Sequence, residues 1–348
     1  MPEAPRPPVR LADRTTLRLG GPVGELVEAR DEQGLVAAVR EADETGTPML
    51  LLGGGSNLVV ADEGVPGRVV DVAVSGVHVE SDLCGGAFVT VAAGEGWDDL
   101  VARAVQEGWV GLEALSGIPG RVGATPIQNV GAYGQEVAQT IARVRVWDRR
   151  EQTVRTLMAS DCGFGYRTSR FKQDPARWVV LDVSFQLRLG SLGAPVAYAE
   201  LARALGVEVG QRAPSADVRE AVLGLRRGKG MVLDAADHDT WSAGSFFTNP
   251  VVEPEAVPEG APAWEQPDGR VKTSAAWLIE HAGFGKGYGL DHGEGRVALS
   301  TKHTLALTNR GGASTAELLA LAAEIRDGVR ERHGITLVNE PVLVGCTL

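Results

Sequence analysis

Lysine, cysteine and long apolar runs are all scarce in this chain. Arginine supplies 29 of the 34 basic residues, so a single arginine carries little weight here without a motif around it. Cys84, Cys162 and Cys346 are odd in number and far apart, with no CxxC pair and no Cys/His cluster. That argues against a disulfide framework, and three reduced thiols are expected. The six histidines show no HExxH or other metal spacing, so no metal is expected. No apolar run approaches the roughly 18 residues of a membrane span. The opening MPEAPRPPVR lacks the apolar segment of a secretory signal, so a cytoplasmic protein is expected. Positive charge is in deficit as well. The 34 basic and 45 acidic residues leave a net charge of −11, a poor match to nucleic acid or to an anionic membrane.

What is present suits a folded protein of two or three domains: 348 residues, 44% hydrophobic. The 45 glycines follow no collagen-like period, so the excess belongs to loops. Prolines at 2, 5, 7 and 8 make residues 1–14 a disordered tail by expectation. The spacing of Leu35, Val36, Val39 and Ala42 predicts a helix from Asp31, its cap, to Gly46. Residues 48–52 read as a short buried strand, followed by strands at 69–74 and 87–92. A helix from Trp97 buries Leu100, Val101, Ala104 and Val105. Strands follow near 143–148 and 178–187, then a helix from Ser215 to Arg227. Ser314-Thr315-Ala316-Glu317 is a capping box. It opens a helix to His333 that buries Leu318, Leu319, Ala322, Ile325 and Val329 and ends at Gly334. Residues 335–345 read as two strands interrupted at 339–341. Without a regular βαβ alternation the class is α+β. The proline-rich, acidic 253–268 reads as a surface loop insertion with no packing role.

Several segments carry chemistry. Gly53-Gly54-Gly55-Ser56-Asn57 follows an apolar strand, and successive glycines leave amides open to wrap a pyrophosphate; a plain flexible turn is the alternative. Neither common nucleotide fingerprint fits. Leu58 breaks G-x-G-x-x-G, and Gly224 to Lys229 is one residue short of a Walker loop. Residues 111–134 are long, irregular and rich in glycine (Gly117, Gly120, Gly123, Gly131, Gly134), with Gln128, Asn129 and Tyr133 as polar groups among them. Two such loops suggest one large cofactor held along its length; two unrelated turns would look the same. In 165–172, Tyr166, Arg167, Arg170 and Lys172 fit a carboxylate or phosphate site, or a solvated strand end. Ser245, between Gly244 and two phenylalanines, reads as a proton donor or as a hydrogen-bonded core serine. No Gly-x-Ser-x-Gly elbow accompanies it. Glu340, amid Leu337, Val338, Val342 and Leu343, is either paired, of raised pKa, or at an exposed bend.

In order along the chain, LLGGGSNLVV, GIPGRVGATPIQNVGAYGQE, CGFGYRTSRFK, AGSFFTNP, AAWLIEHAGFGKGYG and NEPVLVG resemble segments of the UDP-N-acetylenolpyruvoylglucosamine reductase family, also called UDP-N-acetylmuramate dehydrogenase. The match spans nearly the whole chain. The resemblance implies an FAD-binding region of the vanillyl-alcohol-oxidase (PCMH) type in two subdomains, 15–75 with 341–348 and 76–228, and a C-terminal α+β substrate-binding domain, 229–340. It implies FAD contacts from Gly53, Gly54, Gly55, Ser56, Asn57 and Leu58, and from Ile118, Pro119, Gly120, Gly123, Ala124, Gln128, Asn129, Gly131, Ala132, Tyr133 and Gly134.

The implied reaction, with NADPH as co-substrate, makes UDP-N-acetylmuramate for peptidoglycan. Hydride passes from N5 of reduced FAD to C3 of the UDP-sugar enolpyruvate, and Ser245 gives the proton to C2. Arg167 stabilises the developing charge and Glu340 acts beside it. Tyr166, Tyr198, Lys229, Asn249 and His303 match substrate contacts, although the Lys229 to Ser245 spacing is longer than in the family. Thr168 stands where Asp is frequent. A monomer is expected. Two rival readings remain: an alcohol oxidase of the same fold, which would not require Arg167, Ser245 and Glu340 together, and a nucleotide-sugar-binding regulator without catalysis.

Overall fold

The computed structural model describes residues 9–82 and 85–348; Cys84 and residues 1–8 of the expected tail lie outside them. The chain forms two compact units. One comprises the described part of Met1–Gly24, with Gly55–Pro66 and Gly228–Leu348; the other comprises Glu25–Gly54 and Gly67–Arg227. Helices and strands alternate without a fixed βαβ rhythm, as an α+β chain should.

The unit of Glu25–Gly54 and Gly67–Arg227 is built on an antiparallel sheet. Its strands run in the order Thr153–Met158, Ile141–Asp148, Trp178–Leu189, Gly86–Ala92, Val77–Asp82. Residues 178–185 of the central strand are all buried, which is why their sequence shows no polar alternation. The helix Trp97–Gln106 packs on this sheet. Trp97 is fully buried, donates from its indole to the Leu115 carbonyl (3.1 Å) and lies 6.2 Å from the Phe185 ring. The helix Glu32–Thr45 starts where its sequence says: Asp31 accepts from the Gly34 amide (2.7 Å), and Gly46 closes it with φ +65°. The strand Met49–Leu52 pairs in parallel with 68–71, but only Leu52 is fully buried. The neighbouring strand runs Val65–Val72 rather than 69–74.

Asp148, fully buried, accepts from both sides of Arg177 (3.0 and 2.7 Å) and from the amides of Arg150 and Glu151. The Arg177 hydrogen bonds, opposed by burial, hold its carboxyl below the ordinary carboxylate range. A group that binds its proton less readily when folded stabilises the fold above the unfolded pKa, about 4, and loses that contribution as pH falls through the folded value. Asp148→Asn is therefore expected to cost about 2 kcal/mol at neutral pH. Arg177, about a quarter exposed, keeps part of its hydration and so limits the cost. Denaturant melts should show the gap from wild type closing as pH falls toward 3; a gap that does not change with pH would contradict the assignment.

In the other unit the core gathers Leu17, Val59, Phe246, Phe247, Leu278, Ile325 and their neighbours. The strand Val342–Val344 pairs in parallel with Leu58–Val60, so the last residues lie beside the segment that follows the triple glycine. The capping box forms in full at the head of the helix Thr315–His333, and the Asp62 carboxylate accepts from the Thr315 and Ala316 amides, where a helix N-terminus favours an anion.

Four further expectations need correction. Residues 9–14 are ordered: Arg10 bridges Pro22, Leu11–Asp13 form a 3-10 turn, and Leu11 is fully buried. The prolines end before this apolar anchor. Leu321, not Leu319, is buried in the last long helix. Residues 335–338 make no strand; beside an irregular turn, the Val338 carbonyl accepts from the Thr248 amide (3.0 Å) and the next residue, Asn339, forms an isolated bridge with Phe247. The 253–268 segment is a surface feature but not simply a loop: Ala263–Glu265 pairs with Val271–Thr273, which also pairs with Val251–Val252.

Candidate active site

Within the larger sheet unit the two glycine-rich loops meet. A Cβ on Gly54 would lie 2.5 Å from the Gly120 Cα, so backbone packs on backbone where no side chain can stand. The 117–124 loop is pinned from beneath. Gly123 donates to the Ala93 carbonyl, Val122 to that of Glu95, and Trp97 to that of Gly120, all at 2.9–3.0 Å. The Gly117 amide donates to Asp98 (2.6 Å), which Arg219 grips with two nitrogens (2.6 and 2.8 Å). Burial pushes the Asp98 carboxyl up, but these donors outweigh it and keep it below the ordinary value. Among the described residues the Gly54 and Gly55 amides have no acceptor. Open amides on a side-chain-free loop fit the pyrophosphate of a dinucleotide such as FAD.

The same unit ties the glycine-rich stretch to the Tyr166–Arg167 turn by three side chains. Arg167 donates to the Gly131 carbonyl (2.9 Å). Asn129, buried and at φ +47°, donates to Glu136 (2.7 Å) and to the Gly165 carbonyl (3.1 Å) and accepts from the Ala138 amide. Ser169 donates to the Ile127 carbonyl while accepting from the Phe171 and Lys172 amides as a helix cap. Residues 165 and 168 close the turn by exchanging two backbone hydrogen bonds. Arg167 itself sits at φ +52°, a backbone state that costs a non-glycine residue roughly 1 kcal/mol and is found where the surroundings enforce it. Asn129 is thus a buried tie, a role its sequence position did not reveal.

Tyr133 (φ +49°) and Gly134 (φ +84°) form a two-residue hairpin between Gly131–Ala132 and Gln135–Glu136. Such turns favour Asn-Gly, so a tyrosine there is held against its preference. Its ring meets that of Tyr198 edge-on, centroids 6.4 Å apart, and burial raises its phenol pKa. Tyr198 is more than half exposed. Arg226 stands outside every motif read from the sequence. It continues the Val218, Val222 stripe at i+4 spacing and is buried with them. Burial pushes its guanidinium down to about 10, against the pull of Tyr133 and Asp98 and with the push of Arg167. An arginine on the apolar face of the helix was the available signal.

The other unit brings Ser245, Glu340 and Asn57 into one neighbourhood. The Glu340 amide donates to the Phe246 carbonyl (2.8 Å), and Phe247 bridges Asn339. Asn57 donates to the Glu340 carbonyl (3.5 Å) and accepts from the Val342 amide (2.9 Å). The Phe246 amide donates to Leu305 (2.7 Å), which sets the His303 turn beside Ser245. Gly244, at φ +74°, bends the chain before the serine. Phe246 and Phe247 are buried, while Ser245 and Glu340 are half-buried. The side-chain oxygen of Asn249 is taken by the Ala275 amide (2.9 Å), which leaves its NH2 as the donor. Lys302, neighbour of His303, pairs with Asp237. Lys229 is half-buried just after the helix Ser215–Gly228.

Among the described residues no cluster could hold a metal, and no helix is long and apolar enough to cross a membrane. Cys162 and Cys346 are free thiols, and burial drives Cys162 up to about 11.

Residues 25–157 match the FAD binding domain family, and residues 236–344 match the family described as UDP-N-acetylenolpyruvoylglucosamine reductase, C-terminal domain. The reductase of that name from Cutibacterium acnes is 61% identical over 340 residues, covering 98% of this chain and 90% of that protein. That from Thermobifida fusca is 57% identical, covering 98% of each. The crystal structure of the Thermus caldophilus enzyme superposes with a TM-score of 0.65 at 28% identity, over 97% of this chain and 98% of that one. The α+β FAD-binding region with a C-terminal reductase domain is therefore the fold present.

Proposed function

The chain belongs to the UDP-N-acetylenolpyruvoylglucosamine reductase family, oxidoreductases of peptidoglycan synthesis with an FAD binding domain, and from that premise we propose that it reduces UDP-N-acetylglucosamine enolpyruvate to UDP-N-acetylmuramate at the expense of NADPH, as a cytoplasmic monomer. When bound, FAD supplies the hydride for C3 of the enolpyruvyl group. The open amides after Leu52 hold its pyrophosphate, and the 118–134 backbone holds its ring. The functional division is 15–75 with 341–348 and 76–228 for the cofactor, and 229–340 for the nucleotide sugar.

Arrival of a hydride at C3 places negative charge on C2 and on the adjoining carboxylate. Arg167, its guanidinium fixed on the Gly131 carbonyl, stabilises that charge without having to reorient. Ser245 delivers its proton to C2. A serine is a weak acid, but the carbanion-like centre is a strong base, and a prepositioned donor suffices. A proton on Glu340 would let it donate to the enolate oxygen. Tyr166 and Tyr198 close on the substrate, while Lys229, Asn249 and His303 bind its nucleotide portion, with Arg226 as a second cation near Arg167.

The observation that supports this most is the 2.8 Å hydrogen bond from Glu340 to Phe246, which sets the proposed proton donor and the proposed carboxylate on adjacent turns. The test is anaerobic. NADPH should bleach the flavin absorbance, and the enolpyruvyl substrate should restore it. Flavin that stays reduced with substrate present would overturn the reading, and reduction by an alcohol followed by fast reoxidation in oxygen would favour the oxidase.

A further inference from the structure

Glu113 is 1% exposed, and the reaction just described gives it no task. Its carboxylate is met by uncharged donors from three separate segments: the Gly111 amide (2.7 Å), the Gln135 side chain (2.9 Å) and the Ala194 amide (2.5 Å). The pocket is shaped for it. A Cβ on Gly193 would stand 2.9 Å from the nearer carboxylate oxygen, and Gly111 sits at φ +126°. Gln135 is in turn fixed, since its carbonyl oxygen accepts from the Ala114 amide (2.9 Å). A buried carboxylate is costly to desolvate, and three N–H donors are what make it tolerable.

The segments it joins are the two that carry the facing tyrosines. Gln135 opens the strand directly after the Tyr133–Gly134 turn. Ala194 lies four residues before Tyr198, in a stretch also held by the Gly193 amide on the Ala213 carbonyl (2.9 Å), by the Leu192–Pro214 bridge and by Val196, buried and bonded to the Gln211 carbonyl (2.8 Å). The seat between the tyrosines is close-fitting, because a Cβ on Gly134 would lie 2.5 Å from that of Ala197. Both sides of the Tyr133–Tyr198 contact are thus tied to one buried carboxylate, which joins segments that are otherwise anchored separately. We infer that Glu113 is a positioning residue, which sets Tyr198 against Tyr133 and so governs how tightly the enolpyruvyl nucleotide sugar is held, without touching it. This rests on the reading that Tyr198 closes on the substrate.

Glu113→Gln keeps the shape but offers one acceptor oxygen in place of two, so the amide NH2 must face a donor on one side and the bridge between residues 111 and 194 breaks. In the FAD-loaded enzyme the KM for UDP-N-acetylglucosamine enolpyruvate should rise about 10-fold with kcat within about threefold, the split expected when substrate and transition-state binding weaken together. Flavin content and the rate of flavin reduction by NADPH should not change. Amide hydrogen exchange of residues 192–198, which needs no substrate, should quicken about 10-fold, matching the loss of roughly one charge-assisted hydrogen bond. An unchanged KM, or unchanged exchange in that segment, overturns the inference. Should the variant lose its flavin, Gln135→Met, which removes both the donor to Glu113 and the acceptor of the Ala114 amide, carries the test: its KM should rise about threefold at constant kcat, and an unchanged KM again overturns the inference. Wild-type enzyme that binds FAD yet turns over none of this substrate would overturn the reductase reading instead, a result separate from either variant's.

Discussion

Ser245→Ala should slow reoxidation of the reduced enzyme by the enolpyruvyl substrate by roughly 10³-fold, within the usual range for loss of a positioned general acid. Reduction of the flavin by NADPH should stay within about twofold of wild type, because the proposed role of the hydroxyl begins only after hydride has left. The structure makes this a clean substitution. Ser245 is half-buried at a bend whose shape comes from Gly244, from the buried Phe246 and Phe247, and from the backbone bonds of Phe246 to Leu305 and Glu340. None of these depends on the serine oxygen, so the turn should survive and the thermal midpoint should move little. Stopped-flow absorbance of the two half-reactions separates the outcomes. An unaltered second half-reaction would mean that the proton comes from another group, with Glu340 the next candidate. Loss of both half-reactions would mean that the turn itself had been damaged.

Gly54→Ala should give a protein that purifies nearly colourless, with FAD affinity weakened by at least about 100-fold, or close to 3 kcal/mol. The added methyl would fall 2.5 Å from the Gly120 Cα. Both atoms belong to backbone, so no rotamer change relieves the clash and one loop must move. The 117–124 loop is held to the Ala93 and Glu95 carbonyls, to the Trp97 amide and to Asp98, which leaves the 53–55 loop to yield, and with it the open amides proposed to grip the pyrophosphate. Gly224→Ala is the matched control. It lies inside the helix Ser215–Gly228 with nothing within 4 Å of the new Cβ, so it should keep its flavin and gain a few tenths of a kcal/mol. The ratio of absorbance at flavin and protein wavelengths decides between them. A yellow Gly54→Ala protein would mean that the two loops do not jointly hold the cofactor.

The local elements were legible in the sequence because their causes are local. Asp31, Gly46, the Ser314–Glu317 box and Gly334 cap helices through bonds that span three or four residues. The apolar periods of 35–42 and 97–104 mark buried faces that need no knowledge of what covers them. The triple glycine and the glycine-rich 117–134 stretch likewise announced backbone-lined loops, since only glycine supplies bare backbone in such numbers. Ser245, Arg167 and Glu340 stood out through their motifs, and the family match carries their proposed roles.

Tertiary structure decided what depends on distant partners. Residues 54 and 120 are far apart in sequence, and nothing near either one says that their backbones touch. Asn129 stood out in the sequence as a polar group among glycines; only the fold shows that its side chain also ties Glu136, Gly165 and Ala138 together. Leu11 lies just past a run of prolines that suggested disorder, yet a core waits for it. Arg226 and Glu113 are buried charges whose compensation comes from several segments at once. A buried polar group is stable only where donors and acceptors converge on it, and that convergence is a property of the folded chain which no window of sequence contains.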